Sequence, residues 1–251
     1  MADSWRQAAR MLRSHGPLYI ARFAVSRMAT TLRLWRLLRA LPPNEPLDRL
    51  ISLMVDRPLG PGQPVFAMQR PPEIAGFLER AAALRPQVVV EIGTASGGTL
   101  FLLTRVAAPD ALLVSLDLPG GSFGGGYQSW RKPLYRSFAH GDQRIVLLRG
   151  DSHSPEMEAR LKETLAGRPV DLLFIDGDHR YEGVKADFET YSPLVRPGGI
   201  VAFHDIVPDP VQPGMEVNRF WKEAAARHPS EELIEDPHQT GYGIGVLRMD
   251  R

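Results

Sequence analysis

Residues 88–98 read VVVEIGTASGG, and no other segment constrains the fold as much. Val88-Val89-Val90-Glu91-Ile92 is a short apolar run rich in β-branched residues, the composition of a strand covered on both faces. It runs straight into glycines. Gly93 permits a sharp turn, and Gly97 and Gly98 remove side chains where a ligand must approach the backbone. A helix is expected over Gly98–Ala107, and its first turn adds unpaired N–H groups.

The alternation continues to the end of the chain. Further strands are expected at Leu112–Asp117, Arg144–Arg149, Val170–Asp176, Gly199–His204, Glu232–Glu235 and Gly243–Arg248. Helices are expected at Pro72–Leu84, Pro155–Leu165, Tyr181–Leu194 and Gly214–Arg227. Apolar strands separated by helices mean a mostly parallel sheet covered on both faces, a three-layer α/β/α sandwich of Rossmann-like type. The last two strands have no helix between them and read as an antiparallel hairpin closing one edge.

Residues 1–64 read as a separate basic helical extension and linker, with the α/β domain over 65–251. Residues 1–41 hold eight Arg and one acid, a charge of +7, while the remainder carries −6. A helix is expected from Leu18 to Leu41, with Tyr19, Phe23, Leu34, Trp35 and Leu38 among its arginines, ended by Pro42-Pro43. A short helix at Leu47–Val55 interrupts the linker. The apolar stretches of the head are broken by Arg, so it is neither a secretory signal nor a membrane span. Packing on the main domain, packing across a homodimer, attachment to an anionic membrane surface and an organellar leader all stay open. The chain has no cysteine, which excludes disulfides, thiolate metal sites and a Cys nucleophile. The overall expectation is a cytoplasmic protein, with peripheral membrane contact through the basic helix as its variant.

Acids stand at successive strand ends beside the glycine turn. Glu91 ends the first strand, where it would repel a pyrophosphate; the spacing is Gly93-x-x-x-Gly97, not the G-x-G-x-x-G of dinucleotide sites. Asp117 ends the second strand, where ribose hydroxyls meet a doubly wound sheet. Asp151 follows the third and could accept from an adenine amino group or cap the next helix. A cationic ligand without phosphate fits this ring of acids.

The runs EIGTASGGT, LDLPGG, GDS and FIDGDHRY, in this order and spacing, resemble class I S-adenosylmethionine (SAM)-dependent methyltransferases over about residues 70–250. The similarity is to bacterial small-molecule O-methyltransferases of the cephalosporin hydroxylase-like group and, more distantly, to catechol-type enzymes. The resemblance implies a seven-stranded sheet of order 3-2-1-4-5-7-6. It also implies a SAM site built from Glu91, Gly93, Thr94, Ser96, Gly97, Asp117, Leu118, Asp151, Ser152 and Asp176.

Asp176, Asp178 and His179 follow the fourth strand, and His204 and Asp205 end the fifth. Adjacent parallel strands bring these groups to one crevice. So many carboxylates need compensation, and a divalent cation would supply it. The resemblance implies a metal held by Asp176, His204 and Asp205. His204 departs from the family pattern, and imidazole suits Mn²⁺ better than Mg²⁺. The same resemblance places a catalytic Lys or His at position 179. His179, with Asp176, would then take the proton of an acceptor hydroxyl.

Residues 119–126 read PGGSFGGG, followed by Tyr127, Trp130, Arg131, Tyr135 and Arg136, and look like a hinged lid whose aromatics and arginines meet a sugar or planar acceptor. The expected acceptor is thus a small metabolite or glycan. An RNA methyltransferase would explain the basic head, but the body is acidic and no N-P-P-Y-type motif follows the fourth strand. A non-catalytic SAM-binding protein would not need Asp176, His179 and Asp205 together. An oxidoreductase lacks its phosphate cradle here.

Overall fold

The computed structural model describes residues 25–26, 28–42, 44–60, 63–120, 126–212 and 214–250. The first part of the expected 18–41 helix, with Tyr19 and Phe23, and residues 121–125 of the glycine-rich run lie outside these.

Seven strands form one sheet: β1 (Val88–Ile92), β2 (Leu112–Asp117), β3 (Arg144–Arg149), β4 (Val170–Ile175), β5 (Val195–His204), β6 (Ser230–Leu233) and β7 (Ile244–Arg248). Their order is β3-β2-β1-β4-β5-β7-β6. β1 to β5 pair in parallel, and β7 runs antiparallel to both β5 and β6. The expected fold and edge hairpin are therefore present.

Alternation along each strand divides the core in two. Val89, Leu113, Leu172 and Ala202 face one layer of helices: α1 (residues 28–40), α2 (Leu47–Val55), α3 (Pro71–Leu84), α4 (Gly98–Val106) and α5 (Lys132–Arg136). Val88, Val90, Val114, Leu173 and Val201 face the other layer: α6 (Pro155–Leu165), α7 (Tyr181–Tyr191) and α8 (Val217–Ala225). Leu34 and Leu38 of α1 and Leu50, Ile51 and Met54 of α2 sit in the same core as Val89, Leu100 and Phe174. Pro71 opens α3 and left-handed Arg85 closes it ahead of Pro86. Ser154 caps α6 by accepting from the Met157 N–H, so the cap anticipated at Asp151 falls to its neighbour.

Several boundaries differ from expectation for identifiable reasons. β6 begins two residues early and ends at Leu233. Its register is set by β7, and the loop beyond is drawn away by the buried Glu73 carboxylate, which accepts from the Glu235 and Gly243 N–H groups. α8 starts at Val217, because the Glu216 N–H before it donates to the His179 carbonyl at 2.7 Å. α5, preceded by a 3₁₀ turn at Ser129–Arg131, occupies the segment expected to be lid. Tyr127 and Tyr135 are core residues there, so they cannot serve as acceptor-facing aromatics.

Candidate active site

A cavity opens at the C-terminal ends of the first four strands. Its wall includes Gly93, Ala95, Asp117, Leu118, Asp151 and Ser152, and the run 176–180. Of the expected cofactor set, Gly93, Asp117, Leu118, Asp151, Ser152 and Asp176 line it; Glu91, Thr94, Ser96 and Gly97 stand behind the wall.

The glycines of the turn are also required by close protein contacts. A Cβ on Gly93 (φ +88°) would lie 1.9 Å from the Asp176 carbonyl oxygen. One on Gly97 would meet the Tyr135 ring, and one on Gly98 would lie 2.1 Å from the Phe66 carbonyl carbon. The Gly98 N–H donates to the Phe66 carbonyl, and the Tyr135 hydroxyl donates to the Ala95 carbonyl. Gly97 and Gly98 thus seat the turn on residues 66–67 and on α5.

Glu91 is wholly buried, and its carboxylate accepts from Thr94 Oγ1 at 2.7 Å. Burial pushes its carboxyl up to about 8, an effect only partly offset by Thr94. Near neutrality burial favours its protonated form, which weakens the expected electrostatic exclusion of pyrophosphate by Glu91. The unfolded chain ionises from the ordinary 4.5, before the folded one does, so folding stability falls as pH rises from there to about 8. Glu91→Gln should remove that loss. We expect its stability advantage to grow across this interval to a few kcal/mol, at ~1.4 kcal/mol per unit, measured by urea midpoints at several pH values. A pH-independent difference would contradict it.

Asp117 sits at the cavity wall with Oδ2 accepting from the Tyr127 N–H at 3.0 Å. Burial raises its carboxyl to about 6 against the N–H groups of Tyr127, Ala95 and Thr94. Asp151 is more exposed and accepts from the His153 N–H. His153, unnoticed in the sequence, also lines the cavity, and its Nε2 lies 3.3 Å from the buried Asp187 carboxylate. That carboxylate raises the imidazole to about 9. Gln69, likewise missed, reaches Asp176 at 3.5 Å from the segment before α3.

The second constellation converges as expected. His179 Nε2 lies 3.3 Å from Asp176 Oδ1 and 3.6 Å from Asp205 Oδ2. His204 Nδ1 lies 3.3 Å and 3.2 Å from the same two oxygens. Asp205 takes a left-handed φ of 61°, a conformation that costs energy in a non-glycine residue and recurs at functional sites. Burial raises the Asp176 carboxyl, but the two imidazoles outweigh it and hold it at about 2. Burial opposes charge on both imidazoles; the carboxylates prevail, raising His179 and lifting His204 well above its ordinary value. Asp178 is turned aside into an ion pair with Arg180.

One ligand atom from each of Asp176, His179 and Asp205 lies within 4.8 Å of the others, a set of two oxygens and one nitrogen that fits a borderline divalent ion. The expected third ligand, His204, is not in this trio. It is 4% exposed at the end of β5, edge-on to the Tyr242 ring, with Nδ1 toward the two carboxylates, which favour its charged form. His179 reaches them from the cavity side.

Residues 90–206 match the family model Methyltransf_24, described as a methyltransferase domain. An uncharacterized protein of Sinorhizobium fredii, y4gI, is 32% identical over 168 residues, covering 64% of this chain and 17% of that protein. Demethylmacrocin O-methyltransferase of Streptomyces fradiae is 29% identical over 93 residues, covering 33% of this chain and 23% of that one. The chain thus spans only a small part of the length of these two relatives. Among solved structures, the O-methyltransferase TomG of Streptomyces achromogenes, in complex with SAM, superposes with a TM-score of 0.55 at 18% identity, over 84% of this chain and 92% of that one. The methyltransferase MycE of the mycinamycin pathway, in complex with Mg, SAH and mycinamycin VI, gives 0.52 at 19% identity, over 83% and 56%.

Sheet order and strand-end cavity are those of the class I methyltransferase fold, and residues 90–206 match a methyltransferase domain.

Proposed function

We propose that this chain methylates a hydroxyl of a small metabolite or glycan, with His179 as the general base. The observation that carries this reading is His179 on the cavity wall, with its Nε2 facing Asp176 and Asp205. When bound, SAM supplies an electrophilic sulfonium methyl group. Gly93, Asp117, Leu118, Asp151 and Ser152 would hold it along the wall. An acceptor hydroxyl approaching His179 passes its proton to the unprotonated nitrogen of the neutral ring, Nδ1, while Nε2–H donates to Asp176, and the imidazolium so formed is stabilised by the two carboxylates that Nε2 faces. Asp176 orients the ring, and the Glu216 N–H fixes the His179 backbone. The acceptor class is supported by the names of the relatives.

A second role for His179 follows from the trio Asp176, His179 and Asp205, which would hold a divalent cation. When bound, such an ion would lower the pKa of a hydroxyl; MycE was solved with Mg. Titrating Mn²⁺ into the wild type and His179→Ala separates the two roles. The base role predicts that the variant loses methyl transfer while any Mn²⁺ binding heat is unchanged. Loss of that heat in the variant assigns His179 to the metal. Unchanged methyl transfer in the variant removes both roles.

A further inference from the structure

Three of the large exposed apolar side chains, Met28, Leu32 and Trp130, line one groove. Met28, Leu32 and Trp35 on α1, and Trp130, Pro133 and Leu134 at α5, line an open groove between the two segments. At 100° per residue, positions 28, 32 and 35 share one face of α1, and Leu34 and Leu38 lie on the buried face beside it. Arg39 falls on the groove face, stacked on Trp35 at 4.9 Å, and Arg36 flanks it. Arg131 lies 5.4 Å from the Trp130 ring centroid. Neither wall carries an acid. Residues 25–41 hold four Arg and residues 126–141 hold Arg131, Lys132 and Arg136, with no Asp or Glu in either run.

We infer that this groove and its cationic borders dock the protein onto an anionic lipid bilayer, with Met28, Leu32 and Trp130 entering the headgroup boundary and the arginines pairing with lipid phosphates. An exposed apolar patch of this kind marks an interaction surface. Apolar side chains with basic neighbours are the composition of interfacial segments that lie on, rather than cross, a membrane. No helix among the described residues is long and apolar enough to cross one. A second copy of the chain fits less well, because a two-fold contact would set the same cationic borders against each other. Single-stranded RNA would use the two tryptophans but gain little from Met28, Leu32, Pro133 and Leu134, which cannot stack on bases. The groove adjoins the cofactor cavity: Gly126 lines the cavity and Gln128 the groove. The inference stands independently of the methyl-transfer reading.

The test is co-sedimentation of the full chain with vesicles of equal parts phosphatidylcholine and phosphatidylglycerol, against pure phosphatidylcholine. Binding to the anionic vesicles alone, weakened by salt, is expected. Arg36→Ala with Arg39→Ala should weaken it about 25-fold, at roughly fivefold per basic residue. Met28→Glu with Leu32→Glu should abolish it, while SAM binding stays at the wild-type value and so reports an intact fold. Absence of vesicle binding overturns the proposal, whether the groove then proves to hold a second copy in sedimentation equilibrium or an RNA oligonucleotide in anisotropy. So does equal binding to neutral vesicles.

Discussion

His179→Ala is expected to lower methyl-transfer turnover by about 10²–10⁴-fold, the usual worth of a positioned general base. SAM affinity should change little, since five other residues of the wall are the ones proposed to hold the cofactor. The wild-type rate should also rise with pH through the His179 titration. A base works only once neutral, and Asp176 and Asp205 raise this imidazole above its ordinary value despite its burial. The variant should lose that rising limb along with its rate. A rate within a fewfold of wild type, with the limb intact, would place the proton acceptor elsewhere.

Gly93→Ala carries the largest expected effect on the fold. The added Cβ would sit 1.9 Å from the Asp176 carbonyl oxygen and 2.8 Å from the Gly177 nitrogen, at a φ of +88° that L side chains rarely adopt. These atoms are backbone, so the ends of β1 and β4 must part. There the Asp176 N–H donates to the Ile92 carbonyl at 2.8 Å. A loss above about 4 kcal/mol is expected, which at this chain length is a fall in Tm of roughly 10 °C or more. SAM binding should suffer with it, because Gly93 and Asp176 share the cavity wall. Gly214→Ala, whose Cβ meets nothing within 4 Å, is the control and should stay near the wild-type Tm. A Gly93→Ala protein melting within a degree or two of wild type would refute the clash.

Strands β1, β2 and β3 and helix α6 have the boundaries their sequences announce, because each is an apolar or periodic run closed by turn residues. β6 does not, since an exposed edge strand takes its register from β7 and its end from Glu73, which is more than 150 residues away. α5 is hidden by a Gly- and Pro-containing stretch whose ordering comes from Tyr135 packing under the glycine turn. The strand-end positions of Asp117, Asp176, His204 and Asp205 follow from the alternation of strand and helix. Which of them point into the cavity does not. Glu91 shows the difference: its position is legible, but it is burial that favours its protonated form. The roles of His204 and His179 around the two carboxylates depend on which side each ring approaches from, and no spacing encodes that. The His153–Asp187 pair joins two elements with no local signal at Asp187; only the titratable residue in the GDSHS run could have hinted at it.

The central claim is that the cavity at the ends of β1 to β4 is a SAM site, and calorimetric titration of SAM into the full chain tests it most directly. We expect saturable binding with one molecule per chain, weakened by Asp117→Ala on the cavity wall. No binding heat with SAM, from a protein that is folded by circular dichroism, would contradict it.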